Sequence, residues 1–336
     1  MGSGEWGDRL RFLQSSLLTP DSANAVSVAL LFPGQASQFV GMGADLRQSS
    51  MAARDVFADA DQITGLPITD LCELGPVERL TETDVAQPAV VATSLAALTV
   101  LQEQVSLPYE AVAGHSVGEI AAYVAAGVFD TRTALELVRI RAEAMAAACQ
   151  ATDGTMAAVI GLDVDLLRSA CEAASCDGSS VEVANLNAPG QLIVSGARAA
   201  IERLGELART AGARRVLPLN VGGPFHSVYM RSAAEPLVQA LGALELQTPT
   251  VPVVLNASAE ASTDAHALRQ ELAVQVYSPV RWIETLQRLA QMGCDRFLEV
   301  GPGTVLAGMV KRTLPSARVA SFGALADLEA ACALLS

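Results

Sequence analysis

The sequence is poor in the residues on which metal and redox sites depend. Its 336 residues include six cysteines, scattered without a CxxC pair, and only three histidines. A structural zinc site needs closely spaced soft ligands, and a secreted disulfide scaffold is shorter and denser in cysteine. The sequence therefore predicts no metal site and a reduced, cytoplasmic location.

Basic charge and long apolar runs are scarce as well. There are 22 basic residues against 36 acidic ones, and the formal net charge of −14 disfavours binding to nucleic acid or to an anionic membrane. The longest mostly apolar stretch, 89–101, is shorter than the roughly 20 residues that a membrane-spanning helix needs. With 51% hydrophobic residues, the chain is predicted to form roughly two packed folding units.

Strands alternate with helices over most of the chain, which predicts an α/β fold with a mainly parallel sheet covered on both faces. The middle of the chain instead follows the order βαββαβ, which is typical of a ferredoxin-like unit. We therefore predict a small subdomain over 152–222, inserted into a large one formed by 26–151 and 223–336, with a further strand near 251–255. Residues 1–25 are expected to be a flexible or vector-derived N-terminal arm.

The most specific motif is GHSVG at 114–118, between a short predicted strand and a predicted helix. Glycines on both sides of Ser116 allow a tight strand-to-helix turn that exposes the hydroxyl, while the N–H groups that follow can face an oxyanion. This context predicts a nucleophile elbow. The alternative is a glycine-rich turn in which the serine only caps the helix.

A serine nucleophile needs a base, and three histidines are available. His266 lies in a polar stretch and is predicted to be exposed at a helix start. His115 adjoins Ser116, and its side chain is expected to point to the other side of the turn, in a structural or pocket role. His226, in the rigid loop VGGPFHS, is the best candidate. Because no motif singles out an aspartate before it, a backbone carbonyl is expected to orient its ring.

Arg141 stands out by its helical position. On the predicted helix 131–150 it shares an apolar stripe with Val138 and Met145, whereas Arg139 lies off that stripe beside acidic residues. An inward-facing guanidinium needs an anionic partner, and its neighbours four residues away cannot serve. Two interpretations stay open: a structural ion pair with a distant carboxylate, or a bidentate clamp on a substrate carboxylate.

Eight sequence blocks occur in order between about residues 28 and 315: FPGQASQFVGMG (32–43), AQP (86–88), GHSVGE (114–119), VRIRAEAM (138–145), ANLNAPGQ (184–191), GPFHS (223–227), SPVRW (278–282) and LEVGPG (298–303). Together they resemble the malonyl-CoA:acyl-carrier-protein transacylase family, which includes the acyltransferases of polyketide synthesis. The resemblance implies an α/β-hydrolase-like large subdomain with a ferredoxin-like small subdomain inserted into it. One departure from the family pattern, Ala36 in place of a commoner glycine, is expected to change little chemically.

The resemblance also implies roles for individual residues. Ser116 is the acylated nucleophile and His226 the general base, oriented by the backbone carbonyl of Gln275. Arg141 holds the malonyl carboxylate. The backbone N–H groups of two residues form the oxyanion hole, namely Gln35 and Val117. The pocket is expected to be lined or supported by Gln87, His115, Asn185 and Phe225.

The implied reaction moves a malonyl group from malonyl-CoA to the phosphopantetheine thiol of an acyl carrier protein through an acyl-serine, with no metal or redox cofactor. Phe225 is expected to leave little room for a branch at malonyl C2. The alternatives are a polyketide acyltransferase for another acyl unit, including carrier-to-carrier transfer, and an editing thioester hydrolase, against which Arg141 counts. We expect a monomer.

Overall fold

The computed structural model describes residues 27–336, so the arm predicted over 1–25 lies outside the described residues. The strands in this range are β1 (Val28–Phe32), β2 (Ala111–Gly114), β3 (Gly154–Ile160), β4 (Val181–Ala188), β5 (Gln191–Ala197), β6 (Arg215–Pro218), β7 (Val253–Val254), β8 (Ala261–Ser262), β9 (Arg296–Val300) and β10 (Arg318–Phe322). The helices are α1 (Ala44–Ser49), α2 (Met51–Thr64), α3 (Ile68–Leu74), α4 (Val77–Thr81), α5 (Thr83–Gln104), α6 (Gly118–Ala125), α7 (Thr131–Gln150), α8 (Val164–Ala174), α9 (Arg198–Thr210), α10 (Arg231–Gly242), α11 (Ala265–Val274), α12 (Trp282–Gln291), α13 (Val305–Thr313) and α14 (Leu328–Leu335).

The larger sheet has the strand order β10-β9-β1-β2-β7-β8. Every neighbouring pair is parallel except β7 and β8. Successive side chains of a strand point to opposite faces, and in β1 Leu30 and Leu31 accordingly belong to two different apolar clusters. Helices cover both faces because parallel neighbours need crossover connections. The predicted mainly parallel sheet is confirmed.

Helix α5 lies in the core that covers one face of this sheet. Its 22 residues are long and apolar enough to cross a membrane by length and composition, although the apolar stretch 89–101 within it is shorter. However, 89% of its most apolar window is buried inside the fold. A helix that is apolar on all sides and enclosed by neighbours is a core helix.

The second sheet has the order β4-β5-β3-β6 and is antiparallel throughout. With α8 and α9 it follows the predicted βαββαβ order, and its elements lie within the segment predicted as the small subdomain. Val159 and Val194 pack in the cluster beneath these two helices. Met156 and Ile193 lie on the opposite face and line a cavity. The predicted combination of a hydrolase-like large subdomain with a ferredoxin-like small one is confirmed.

The prediction for 251–255 is wrong in extent, because the strand is reduced to Val253–Val254. Pro252 has no N–H for a ladder, although its carbonyl accepts a hydrogen bond from the N–H of Val112. The two-residue strand β8 was not predicted, because a segment of that length shows no alternation of polar and apolar residues.

A buried carboxyl group supports the last helical crossover. Glu299, at the end of β9, is fully buried and accepts hydrogen bonds from the N–H groups of Leu306 and Ala307 in the first turn of α13. Burial is the main cause that raises its pKa from 4.5 to about 7. Glu299 therefore keeps its proton in the folded chain at pH values where the unfolded chain releases it.

This difference predicts a pH dependence of stability. Because the folded-state pKa is raised, the contribution of Glu299 is present below pH 4.5 and is lost as the pH rises through 7. Relative to Glu299→Gln, the wild type should lose roughly 2.5 kcal/mol of unfolding free energy between pH 5 and pH 8. Urea unfolding of both proteins at both pH values measures this, and parallel pH profiles would contradict it.

Candidate active site

Ser116 lies in a sharp turn between β2 and α6. Its φ is 52°, in the left-handed region that L-residues rarely adopt. The flanking glycines are required by close contact, because a Cβ on Gly114 would overlap the backbone of Gly118, and a Cβ on Gly118 would overlap the carbonyl oxygen of Phe32. The turn therefore has the geometry of a nucleophile elbow, which favours this interpretation over a simple capping serine.

The hydroxyl of Ser116 contacts the imidazole of His226, with 2.7 Å between Oγ and Nε2. On the other side of the ring, Nδ1 lies 3.0 Å from the carbonyl oxygen of Gln275 and 3.1 Å from that of Ser278. Because both of these partners can only accept, Nδ1 carries the proton and Nε2 is free to accept one from the serine. A backbone carbonyl thus occupies the place expected for it, and the second carbonyl was not predicted.

The ring of His226 is buried, and burial together with the charge of Arg141 lowers its pKa from 6.5 to about 3. The imidazole is therefore neutral at every pH near neutrality. A neutral ring is the form that accepts a proton from a nucleophile.

Arg141 is 2% exposed and its hydrogen-bond partners are all neutral. Nη1 donates to Gln87 Oε1 at 2.5 Å, and Nη2 donates to Gln275 Oε1 at 2.8 Å and to Ser116 Oγ at 3.2 Å. Within residues 27–336 it forms no ion pair, unlike Arg139, which pairs with Glu143. The structural ion pair left open by the sequence is therefore absent from the described chain. Burial lowers the pKa of Arg141 to about 10, and the group stays charged at neutral pH.

A polar layer beneath the elbow holds these groups in place. Asn256 is fully buried, accepts from the N–H of Ser116 at 2.7 Å and donates through Nδ2 to the carbonyl oxygen of Gly114 at 2.7 Å. Glu119, also fully buried, accepts from the side-chain amide of Gln275. Burial and the nearby carboxyl of Glu271 raise the pKa of Glu119, while its N–H donors and Arg141 oppose this.

The two N–H groups predicted as an oxyanion hole border the elbow. Neither Gln35 nor Val117 donates its backbone N–H to another group of the described chain. The loop that carries Gln35 packs on the elbow, since a Cβ on Gly34 would come within 2.5 Å of the carbonyl oxygen of His115. The neighbouring Ala36 has a φ of 80°, which explains why glycine is commoner there and adds a backbone cost that the sequence prediction did not consider.

These groups face a cavity of about 180 Å³ between the two sheets. Eight of the ten predicted site residues line it: Gln35, Gln87, His115, Ser116, Arg141, Asn185, Phe225 and His226. Val117 and Gln275 are buried and are not among its lining residues. In the part of the chain that the structure describes, no group of three or more potential metal ligands occurs.

The sequence profile of the acyl transferase domain family matches residues 29–330, which include every residue of this site. The chain belongs to this acyltransferase family. Its fold, its elbow and its buried arginine are thus found together in a protein whose family transfers acyl groups.

Proteins similar to this acyltransferase agree in name. A malonyl CoA-acyl carrier protein transacylase of Bacillus subtilis is 42% identical over 285 residues, covering 85% of this chain and 90% of the relative. The protein of the same name in Escherichia coli K12 is 41% identical over 284 residues, covering 84% and 92%. The resemblance stated from the sequence blocks is confirmed.

Solved structures agree with the fold. An acyl carrier protein S-malonyltransferase from Vibrio cholerae has a TM-score of 0.87 at 39% identity and covers 91% of this chain and 99% of its own. A malonyl-transacylase solved in complex with the acyl carrier protein of a type II polyketide synthase has a TM-score of 0.87 at 38% identity, with the same coverage.

Two histidine predictions have different outcomes in this acyltransferase. His266 is exposed in the first turn of α11, as predicted. His115 lines the same cavity as Ser116, where its Nε2 lies 2.8 Å from Asn187 Oδ1, so the expectation that it points to the other side of the turn is wrong. Packing against Trp282, with ring centroids 5.2 Å apart, holds the imidazole there.

Sequence reasoning also missed three residues of the site, Glu119, Asn256 and Ser278. Glu119 was quoted within a motif without a role. Asn256 directly follows the predicted strand 251–255, and residues at the carboxyl edge of a parallel sheet often serve a site. Its place after a predicted strand is the one feature of the sequence that marks Asn256 as a candidate site residue. That place does not show that Asn256 binds the backbone of the elbow.

The close contact at Gly118 makes the elbow intolerant of any side chain. We expect Gly118→Ala to lower the unfolding free energy by about 3 kcal/mol or more, because the new methyl group overlaps backbone on a neighbouring strand. The matched control is Gly308→Ala in helix α13, where a Cβ meets no atom within 4 Å and should raise stability by up to about 1 kcal/mol. Chemical unfolding compares the two, and equal effects would contradict the contact.

Proposed function

We propose that this acyltransferase transfers a malonyl group from malonyl-CoA to the phosphopantetheine thiol of an acyl carrier protein, through an ester on Ser116. The observation that carries the proposal is the buried charge of Arg141, held by neutral partners beside the serine hydroxyl. The names of the relatives, which are malonyl transacylases, point the same way.

The position of Arg141 suits a malonyl thioester in particular. In that group one methylene separates the carboxylate from the reacting carbonyl carbon, so the cation that binds the carboxylate must lie within a few ångströms of the nucleophile. Nη2 of Arg141 is 3.2 Å from Ser116 Oγ. A planar guanidinium in a cavity of limited size can also bind a carboxylate through two parallel hydrogen bonds.

In the first half-reaction, His226 Nε2 takes the proton of Ser116 as Oγ attacks the thioester carbonyl carbon. The oxyanion of the tetrahedral intermediate faces the N–H groups of Gln35 and Val117. The carbon–sulfur bond then breaks, and the imidazolium returns its proton to the departing thiolate of CoA. The carbonyls at Nδ1 stabilise the imidazolium that exists between these two transfers.

In the second half-reaction, the thiol of the carrier protein gives its proton to His226 and its sulfur attacks the ester carbonyl carbon. The carbon–oxygen bond breaks, and Ser116 recovers the proton. The two halves use the same base and the same oxyanion donors, which is the ping-pong scheme expected of an acyl-serine enzyme.

Phe225 supports a preference for an unbranched malonyl group. Its ring is buried in the cavity wall immediately before His226. A methyl or ethyl branch at C2 would overpack a wall of this kind, at a cost of about 1–3 kcal/mol. The proposal therefore names malonyl, rather than methylmalonyl or ethylmalonyl, as the acyl group.

The direct test is detection of the acyl-enzyme by intact-mass spectrometry after incubation with malonyl-CoA. The wild type should gain the mass of one malonyl group, Ser116→Ala should gain none, and Ser169→Ala, which removes an exposed hydroxyl on α8, should behave as wild type. Addition of a holo acyl carrier protein should then remove the malonyl group and appear as malonyl-carrier. A malonyl adduct on Ser116→Ala, or release of free malonate in place of malonyl-carrier, would contradict the proposal.

A second prediction concerns the choice of acyl group. Arg141→Ala should lower kcat/KM for malonyl-CoA by at least roughly 10- to 100-fold, the range expected for each lost charge-assisted hydrogen bond, and should leave acetyl-CoA unchanged or improved. Arg139→Ala is the matched control, because it removes a half-buried arginine from the same helix that is ion-paired and does not line the cavity. Equal losses with malonyl-CoA and acetyl-CoA would show that Arg141 has only a structural role.

A further inference from the structure

The side-chain amide of Gln275 is buried and has only one orientation that satisfies its neighbours. Nε2 donates to the carbonyl oxygen of Ser116 at 2.8 Å and to the carboxylate of Glu119. Oε1 accepts from Nη2 of Arg141 at 2.8 Å. The reverse orientation would set donor against donor at Arg141 and acceptor against acceptor at Glu119.

Glu119 is the partner that makes this orientation strict. It lies in the first turn of α6, is fully buried, and uses its other oxygen to accept from the N–H of Asn256 at 3.3 Å. Both carboxylate oxygens thus face N–H donors. An amide in place of this carboxylate would have to direct its NH₂ group at one of those donors.

The arrangement keeps the carboxyl group of Glu119 one amide away from the cation. A carboxylate in direct contact with Arg141 would neutralise the guanidinium and compete with an acyl carboxylate for the same N–H groups. Glu119 holds the amide of Gln275 in position, and this amide contacts the guanidinium without bringing a charge to it. The guanidinium is consequently held in place and remains available to an anionic acyl group.

We propose that Glu119 is a positioning residue that sets the preference of the site for acyl groups carrying a carboxylate, by fixing the amide of Gln275 with its oxygen towards Arg141. This inference rests on the proposed function, since it concerns the choice between malonyl and neutral acyl groups. Glu119 itself touches neither substrate nor reacting atom.

The first test is Glu119→Gln, with kcat and KM measured for malonyl-CoA and acetyl-CoA. We expect kcat/KM for malonyl-CoA to fall roughly 10-fold, mainly through KM, because a carboxylate contact made equally in ground and transition states is lost. Acetyl-CoA should lose clearly less than malonyl-CoA, because the only other contact at stake is the hydrogen bond from Gln275 to the carbonyl oxygen of Ser116. Glu299→Gln is the matched control: it alters another fully buried carboxyl that accepts from backbone N–H groups, those of Leu306 and Ala307, and contacts neither Gln275 nor Glu119, so it should keep the malonyl preference.

Two other results would overturn the proposal. If Glu119 acted only as a counter-charge, its removal would strengthen the attraction of Arg141 for malonyl, and KM for malonyl-CoA would fall. If Glu119 only supported the fold, both substrates would lose kcat/KM equally, and the loss would follow the drop in thermal stability.

A double variant, Glu119→Gln with Gln275→Glu, exchanges the carboxylate and the amide without changing the net charge. It places the carboxylate directly on Arg141, so we expect the malonyl preference to disappear even though an acid and an amide still face each other. A retained preference would overturn the proposal, and this variant decides the question if Glu119→Gln does not fold.

The wild type and Arg141→Ala are measured in the same series. If the wild type does not load malonyl, or if Arg141→Ala keeps the malonyl preference, the proposed function fails. If both behave as expected and Glu119→Gln still prefers malonyl as strongly as the wild type does, only the role of Glu119 fails.

Discussion

A positive charge buried among neutral partners is the constraint on which the rest of the site depends. Removing a guanidinium from water costs several kcal/mol unless hydrogen bonds compensate, and a carboxylate beside it would compensate best. Arg141 has amide and hydroxyl oxygens instead, supplied by Gln87, Gln275 and Ser116. The charge is thereby kept in the protein without being neutralised, as the proposed binding of an acyl carboxylate requires.

The same charge acts on the base. Arg141 and burial together keep His226 neutral, while two backbone carbonyls at Nδ1 fix the tautomer that leaves Nε2 free. In many serine enzymes an aspartate performs this orienting role. A carboxylate beside this ring would also lie close to Arg141 and would neutralise it, so neutral carbonyls are the partners that suit the proposed role of Arg141.

Two strained residues meet at the reacting atoms. Ser116 and His226 have φ values of 52° and 57°, and neither is glycine. Such conformations cost of order 1–3 kcal/mol each and persist only where the surroundings determine them. Asn256 and Gln275 fix the conformation of Ser116 through hydrogen bonds to its backbone. Val276 fixes the conformation of His226 by accepting a hydrogen bond from its N–H.

The sequence by itself determined what depends on neighbours along the chain. The alternation of strands and helices, the βαββαβ order, the elbow at Ser116 and the inward face of Arg141 all follow from local periodicity and glycine placement. The tertiary structure alone decided which distant groups meet. Asn256 contacts the elbow from 140 residues away, and Gln275 contacts Glu119 from 156 residues away. No local pattern encodes such pairs, because hydrogen bonds between distant segments exist only after packing has removed water from both partners.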